Sequence, residues 1–270
     1  MPASVVLGTA AALMLGGCSA GGDEPRAARD TASAPTSSTT APSSTAPPPP
    51  CTLEVGGTDV DLTEAQAVAM TGQAAAVQRT DRPVSAQVST LARGLSSQRP
   101  TLPDRRRAAR ALLGLDGPAL SCAFLRADLK DQRIGRDGLT PRAQRLRAAM
   151  NRAFGPLPMG GFAAGGVSTG HVDNSAHYEG RAIDVFLRPY TDRAQAHRGW
   201  TLAQWLVARS ARSQLLSVIY RDHIWTVWAS YAGWRDYEHP GGPTRNPVLR
   251  HLDHLHTAVL GGPYRRASRR

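Results

Sequence analysis

The aromatic and histidine residues of this 270-residue chain are confined to one part of it. All five tryptophans, all six tyrosines and all eight histidines follow residue 153, and the stretch between Cys51 and Cys122 has no Trp, Tyr or Phe. Because aromatic side chains bury the largest areas, the core of the earlier part must be small. The histidines that can do chemistry at neutral pH also lie in the later part.

The chain is basic, with a formal net charge of +11, and Lys130 is its only lysine. A hydrophobic content of 41% is enough for a real core, and the length allows at most two folded units. The arginines are scattered, and zinc-finger spacing and aromatic RNA-binding motifs are both missing from the sequence. We therefore expect no nucleic-acid partner, whereas a net positive surface would favour an anionic cell envelope.

The first residues have the pattern of an export signal. An apolar stretch from Val5 to Leu15 is too short to span a bilayer and is followed by "LGGC". This resembles the signal of bacterial lipoproteins, which implies a signal peptide over residues 1–17 and lipidation of Cys18. The protein would then be exported and lipid-anchored to the outer face of the cell membrane; an ordinary secretory signal would instead make it secreted. Residues 18–50 are rich in Ser, Thr and Pro and predict a disordered spacer.

Residues 51–123 predict a small helical region. Thr63 and Gln66 have the spacing of a capping box, and Asp104 is a candidate N-cap for a helix that Gly114 would stop. In an exported protein we expect Cys51 and Cys122 to form a disulfide, which would stabilise the fold by about 4 kcal/mol on the chain-entropy model.

Residues 139–262 predict a second unit, and residues 263–270 a basic tail. Thr140 and Pro141 are typical of a helix start, and Gly155 of its end. Thr201 and Gln204 suggest the cap of a second helix. The strand candidates are residues 159–167, 181–187, 217–228 and 251–260. This order predicts an α+β fold: a small, mostly antiparallel sheet of about four strands with helices on one face, preceded by the small helical region.

Asp184 lies within the apolar strand candidate "RAIDVFL" and therefore needs a partner. Side chains alternate along a strand, so Asp184 points into a partly apolar place, where an unpaired carboxylate is unfavourable. His177 precedes the strand, while His254 and His256 are two apart on a later strand and so share a face. Two imidazoles and one carboxylate, with one position left open, form the ligand set of a catalytic zinc site.

The segments "SAHYEGRAID" and "DHLH" resemble the motifs of the zinc peptidase superfamily of lysostaphin, the D-alanyl-D-alanine metallopeptidases and hedgehog. The first motif of that superfamily is Ser-x-His-x-x-Gly-x-Ala-x-Asp, and Ser175, His177, Gly180, Ala182 and Asp184 match it. More closely, the segment looks like the carboxy-terminal domain of uncharacterised actinobacterial exported proteins. The resemblance covers about residues 139–262 and is specific over the two motifs.

This resemblance implies that His177, Asp184 and His256 bind Zn²⁺. Three residues compete for the role of catalytic base, and they are His254, Asp253 and His251. Compared with the family, Asp253 is one methylene shorter than the usual glutamate, and the arginine expected upstream of the histidine motif is missing.

Two further residues are assigned by their place around the motif. Ser175 and His171 would contact the ligands or the substrate, and His171 or an arginine from elsewhere could replace the missing arginine. An aromatic-rich segment would either line the cleft or fill the core, and its residues are Trp225, Trp228, Trp234 and Tyr237.

The resemblance further implies a membrane-anchored, zinc-dependent peptidoglycan peptidase, either a D,D-carboxypeptidase or an endopeptidase. Its partners would be peptidoglycan peptides, and we expect a monomer. Hedgehog-type relatives keep the zinc without being established peptidases, so a non-hydrolytic, zinc-containing module that binds wall peptides is the alternative. A purely structural zinc is less favoured because the ligand set has no cysteine.

Overall fold

The computed structural model describes residues 50–124 and 129–261. The predicted signal peptide, Cys18, nearly all of the spacer and the basic tail lie outside these residues. Among the helices that it describes, none is both long and apolar enough to cross a membrane.

The first part of the described chain combines helices with a small sheet. The helices are α1 (Glu64–Gln78), α2 (Val84–Gly94) and α3 (Arg105–Leu112), with a 3-10 turn at Leu95–Ser97. The strands are β1 (Cys51–Glu54), β2 (Asp59–Leu62) and β3 (Leu120–Cys122), in the order β2-β1-β3. The capping box of Thr63 and Gln66 and the N-cap role of Asp104 are confirmed. The sheet was not predicted, because strands of three or four residues carry too little alternation to be recognised.

Cys51 and Cys122 lie directly opposite one another on β1 and β3 and are joined by a disulfide bond. The predicted pairing is thereby confirmed. The bond closes a segment with a sequence separation of 71 residues, so all three helices of the first part lie within the loop that it closes.

The second part contains a six-stranded antiparallel sheet in the order β4-β5-β9-β6-β7-β8. The strands are β4 (Met159–Gly160), β5 (Ala182–Phe186), β6 (Leu215–Tyr220), β7 (His223–Thr226), β8 (Arg235–Asp236) and β9 (His254–Val259). The helices are α4 (Pro141–Phe154), α5 (Arg193–Val207) and α6 (Ser210–Ser213), with a 3-10 segment at Val227–Ala232. The α+β class is confirmed, and the sheet has six strands rather than about four.

Two strand predictions need correction. Residues 217–226 belong to the hairpin of β6 and β7 instead of one strand, because Arg221 and Asp222 adopt positive φ angles of 46° and 62° and turn the chain, and residues 227–228 lie in the 3-10 segment. Arg221 and Asp222 lack the Asn or Gly that usually marks such a turn, so the turn was hard to recognise from the sequence. The glycine-rich segment 159–167 is a strand only over Met159–Gly160, where it pairs with β5.

The helix predicted to begin at Thr201 begins eight residues earlier, with Asp192 as its N-cap. Thr201 lies inside α5, and its hydroxyl donates to the His197 carbonyl across 3.0 Å. Gln204 is fully buried, and its side-chain oxygen accepts from the backbone N–H of Leu120 at 2.9 Å. A long-range contact with β3 therefore explains Gln204 better than a local cap.

The helices of the second part pack against one face of the six-stranded sheet. Ile183 and Val185 on β5 and Leu255 and Val259 on β9 are fully buried in the shared core. Because neighbouring residues on a strand point to opposite faces, Asp184 and His256 lie on the other face. The sheet thus separates the helical layer from the polar residues of the candidate site.

The two parts of the described chain share this core. The indole N–H of Trp225 donates to the Cys122 carbonyl at 3.2 Å, and that of Trp234 donates to the Leu120 carbonyl at 2.9 Å. Trp225 is fully buried. These two tryptophans therefore fill the core between the sheets.

Candidate metal centre

The pairing of β5 with β9 brings the two predicted strand ligands together. Asp184 is directly opposite His256 in the ladder, and Oδ1 of Asp184 lies 3.1 Å from Nδ1 of His256. Phe186 is likewise opposite His254, so both histidines face the side of the sheet that carries Asp184. The predicted alternation on both strands is therefore what positions these side chains.

His177 reaches the same point from the loop that precedes β5. Its Nε2 atom lies 3.1 Å from Nδ1 of His256 and 3.3 Å from Oδ1 of Asp184. Its Nδ1 atom is 2.7 Å from the carbonyl oxygen of Gly161, which can only accept, so Nδ1 carries the proton. The Nε2 lone pair is then directed at the other two ligand atoms, which is how a metal-binding imidazole is usually oriented.

Two glycines make this approach possible. Gly161 has a φ angle of +78°, and a Cβ atom on it would lie 2.3 Å from Cε1 of His177 and 2.8 Å from Oδ2 of Asp184. Gly180, from the sequence motif, has a φ angle of +62°, and a Cβ there would lie 2.6 Å from the Gly138 carbonyl oxygen. Ser175 also shapes this loop, because its hydroxyl accepts from the backbone N–H of His177 at 3.3 Å.

His177, Asp184 and His256 form a group that could hold a metal ion. Their three potential ligand atoms are separated by 3.1 to 3.3 Å. A tetrahedral metal with bonds of about 2.0 to 2.1 Å separates its ligand atoms by about 3.3 Å, so the observed triangle fits one face of such a site. His177 and Asp184 are buried, and His256 is largely buried, which limits competition from water.

The charge state of the group suits a cation. Burial alone would raise the pKa of Asp184, but the adjacent imidazoles of His177 and His256 outweigh it and hold the pKa well below its ordinary value. Burial lowers the pKa of His256. The carboxylate is therefore ionised and the His256 ring neutral at pH 7, as metal ligation requires.

His254 lies beside the ligand group without belonging to it. Its Nε2 atom is 4.0 Å from Oδ1 of Asp184, and its Nδ1 atom is 2.8 Å from Oδ1 of Asp253. Asp253 precedes β9 and also accepts from Arg188, whose Nη2 lies 2.7 Å from Oδ2. Burial raises the pKa of Asp253, but hydrogen bonds with His254 and Arg188 give a net lowering. Asp253 thus contacts His254, and its carboxylate is held by two partners.

His251 and His171 flank the group on two sides. The ring centroid of His251 is 4.7 Å from that of His254, and its Nδ1 atom is buried without a hydrogen-bond partner among the described residues. Burial, followed by the charges of His256 and His254, lowers the pKa of His251 to about 3. The ring of His171 stacks on His177 at 3.9 Å, and burial also lowers the His171 pKa.

The predicted ligands, the three candidate bases, Ser175 and His171 lie around this one point. Of the predicted aromatic residues, Tyr237 packs on His251 at 4.9 Å, whereas Trp225 and Trp234 lie in the core. Among the other described histidines, His197, His223 and His239 do not join the ligand group. The sequence did not reveal the Gly161 carbonyl or Arg188. No local pattern marks Gly161, whereas the position of Arg188 just after the strand that carries Asp184 was a usable signal.

Comparisons with known proteins give one partial match. Searches of curated proteins and of solved structures found no similar protein. Residues 135–248 match the family model for the C-terminal domain of VldE, and this range contains His177 and Asp184 but ends before His251.

Proposed function

We propose that this protein is an exported, zinc-dependent peptidase that hydrolyses peptidoglycan peptides. The observation that carries the proposal is the convergence of Nε2 of His177, Oδ1 of Asp184 and Nδ1 of His256 within 3.3 Å, with His254 beside them. Three protein ligands with a further imidazole alongside are typical of a catalytic zinc site.

The donor atoms favour zinc over calcium and magnesium. Two imidazole nitrogens and one carboxylate oxygen suit Zn²⁺, whereas Ca²⁺ and Mg²⁺ prefer sets made of oxygen. When bound, zinc would lower the pKa of a coordinated water to about 7 and polarise a substrate carbonyl.

His254 is the residue we assign as the base. Its Nδ1 atom is 2.8 Å from an Asp253 oxygen, so Nδ1 carries a proton and Nε2 is free to accept one. Nε2 faces the ligand group, where it would accept a proton from water and return it to the leaving amine. Asp253 would hold the ring and stabilise its charged form, and Arg188 holds Asp253 in place.

His251 is suited to a different role. With a pKa of about 3 it stays neutral at pH 7, so it can donate a hydrogen bond without taking a charge. Its unpartnered Nδ1 atom beside His254 would contact the oxygen that becomes negative during hydrolysis. We assign His171, stacked on His177, to substrate contact at the rim of the site.

The proposed location and substrate are supported by the sequence. The "LGGC" segment and the Ser/Thr/Pro-rich spacer would anchor the protein through Cys18 and hold residues 51–262 away from the membrane. The net charge of +11 would favour contact with an anionic wall.

A non-hydrolytic module that binds wall peptides is the second candidate. It is favoured by the engagement of Arg188 with Asp253, which leaves the family's missing arginine without an obvious replacement among the described residues at the site. Such a module would use the same ligand group to bind a peptide carboxylate.

Digestion of purified peptidoglycan by the full-length protein, with products identified by mass spectrometry, distinguishes the two candidates. A peptidase releases peptide fragments or D-alanine, loses this activity with chelator and regains it with added zinc. The His256→Ala protein is the matched control and should be inactive. If the zinc-loaded protein binds wall peptides but leaves every one intact, the binding module replaces the peptidase.

A further inference from the structure

A cavity with a volume of about 620 Å³ lies in the helical layer. It is lined by α1, α4, α5 and the segment that follows α5. The metal group faces the opposite side of the six-stranded sheet, so this cavity, which we call the arginine cleft, is a separate site.

Six arginines line the arginine cleft, and none of its lining residues is an aspartate or a glutamate. They are Arg79, Arg142, Arg145, Arg152, Arg209 and Arg212. Helical spacing explains the convergence: Arg142, Arg145 and Arg152 share one face of α4, and Arg209 and Arg212 are three apart after α5. Within residues 50–124 and 129–261, none of the six forms an ion pair with a carboxylate.

Among the hydrogen-bond and ring partners that the structure describes, only neutral groups contact the positive charge of Arg209. Arg209 is largely buried, its Nη1 donates to the Thr71 hydroxyl at 2.8 Å, and its Nη2 donates to the Val68 carbonyl at 2.8 Å. Its guanidinium also stacks over the Trp205 ring at 4.2 Å. All of these partners are neutral. Burial, together with the nearby charge of Arg212, lowers the pKa of Arg209 to about 10, so it is still a cation at pH 7.

The floor of the arginine cleft is apolar. Ala76 on α1 and Ala149 and Ala153 on α4 present partly exposed apolar surface there, and Leu146 and Trp205 are buried beneath them. A free inorganic anion would leave this surface in contact with water. An anion attached to an apolar chain would cover it and gain from its burial.

We propose that the arginine cleft binds an amphipathic organic phosphate, in which a phosphoryl group is attached to an apolar chain. A phosphoryl group has three acceptor oxygens and close to two negative charges, so it can satisfy guanidinium groups from several helices at once. A carboxylate has only two oxygens and one charge. The volume of about 620 Å³ lies within the range of small-molecule sites.

Isothermal titration calorimetry of the full-length protein tests this site with four probes. They are hexyl phosphate, inorganic phosphate, hexan-1-ol and water-soluble dihexanoyl phosphatidic acid, a lipid that carries the same phosphomonoester group. We expect one molecule of hexyl phosphate to bind at least about tenfold more tightly than inorganic phosphate or hexanol, because only hexyl phosphate satisfies both surfaces. Tighter binding of the phosphatidic acid than of hexyl phosphate would identify a lipid headgroup as the source; the reverse would identify a soluble organic phosphate.

Two variants locate the binding. Arg145→Glu combined with Arg212→Glu should weaken hexyl phosphate at least about tenfold and leave the zinc content unchanged. Arg93→Glu with Arg245→Glu makes the same charge change at exposed arginines elsewhere and should bind normally. Ala76→Phe fills the mouth of the cleft without changing charge and should also block binding, which decides the matter if the double variant does not fold.

Three results would overturn the proposal. One is the absence of hexyl phosphate binding. The second is an equal loss in the Arg93/Arg245 variant, since this would mean attraction to bulk charge alone. The third is tighter binding of a twelve-nucleotide single-stranded DNA that the Arg145/Arg212 variant abolishes, because the arginine cleft would then be part of a nucleic-acid surface.

Discussion

Asp184 and His256 lie directly opposite one another on β5 and β9, with 3.1 Å between Oδ1 of the carboxylate and Nδ1 of the imidazole. The pairing of β5 with β9 holds these two ligands in position before an ion binds. The third ligand, His177, comes from a loop. A site built in this way should bind metal with two rigid ligands and one adjustable ligand.

We expect the full-length protein to bind one zinc ion, and alanine at His177, Asp184 or His256 to abolish stoichiometric binding. Each change removes one of only three protein ligands. Metal analysis of the purified variants by mass spectrometry measures the effect. His197→Ala and His239→Ala are the matched controls and should keep their zinc. Full zinc content in His256→Ala would rule out the ligand assignment.

Gly161→Ala should weaken zinc binding at least about tenfold, although Gly161 contributes no side chain. The new Cβ would lie 2.3 Å from Cε1 of His177, so two ligands must move, and ligand sets tolerate little displacement. Competition with a chelating dye gives the affinity. Gly165→Ala is the control, since Gly165 also has a positive φ angle, +83°, but a Cβ there meets nothing within 4 Å. Equal affinity in the two variants would mean that close packing at Gly161 does not matter.

If hydrolysis of a wall peptide is found, His254→Ala should lower kcat by about 10²-fold or more, the scale expected for loss of general acid–base catalysis. Zinc should be retained, because His254 lies outside the ligand group. Steady-state kinetics and metal content of the same preparation check both statements. Near-normal turnover in His254→Ala, beside an inactive Asp253→Asn, would transfer the role of base to Asp253.

Removal of the disulfide should destabilise the fold without affecting the site. On the chain-entropy model, replacing Cys51 and Cys122 with serine lowers the free energy of unfolding by about 4 kcal/mol, because the bond closes a long loop. Denaturant unfolding of both proteins measures the difference. Thiol labelling of the unreduced, denatured protein, with peptide mapping, should leave both cysteines unmodified; stoichiometric labelling of both would contradict the bridge.

Gln204→Leu should lower the free energy of unfolding by about 2 to 4 kcal/mol, which is large for one side chain. The buried Gln204 side-chain oxygen accepts from the backbone N–H groups of Ala119 and Leu120, and leucine would leave both unsatisfied; the Ala111 carbonyl, which also accepts from Gln204, keeps its bond from the Gly114 N–H. Gln195→Leu, on the same helix, is the control and should change the stability little. Equal effects of the two changes in denaturant unfolding would show that the buried amide contributes nothing special.

Features that depend only on neighbouring residues could be predicted from the sequence. The caps at Thr63, Asp104 and Thr140 are short-range hydrogen bonds, and all three form where the residue pattern predicts them. Strand alternation likewise placed His254 and His256 on one face. These outcomes need only local geometry, which the sequence encodes directly.

The tertiary structure decided whatever depends on distant contacts. His177 meets His256 across 79 residues only because β5 pairs with β9 in one register, and Gly161 reaches His177 from the edge of the sheet. Gln204 had a plausible local role as a cap, yet its amide bonds β3 instead. The free energy gained by burial in a common core is larger than that of a single local hydrogen bond. Because burial depends on residues far away in the sequence, the two contributions can be compared only once the tertiary contacts are known.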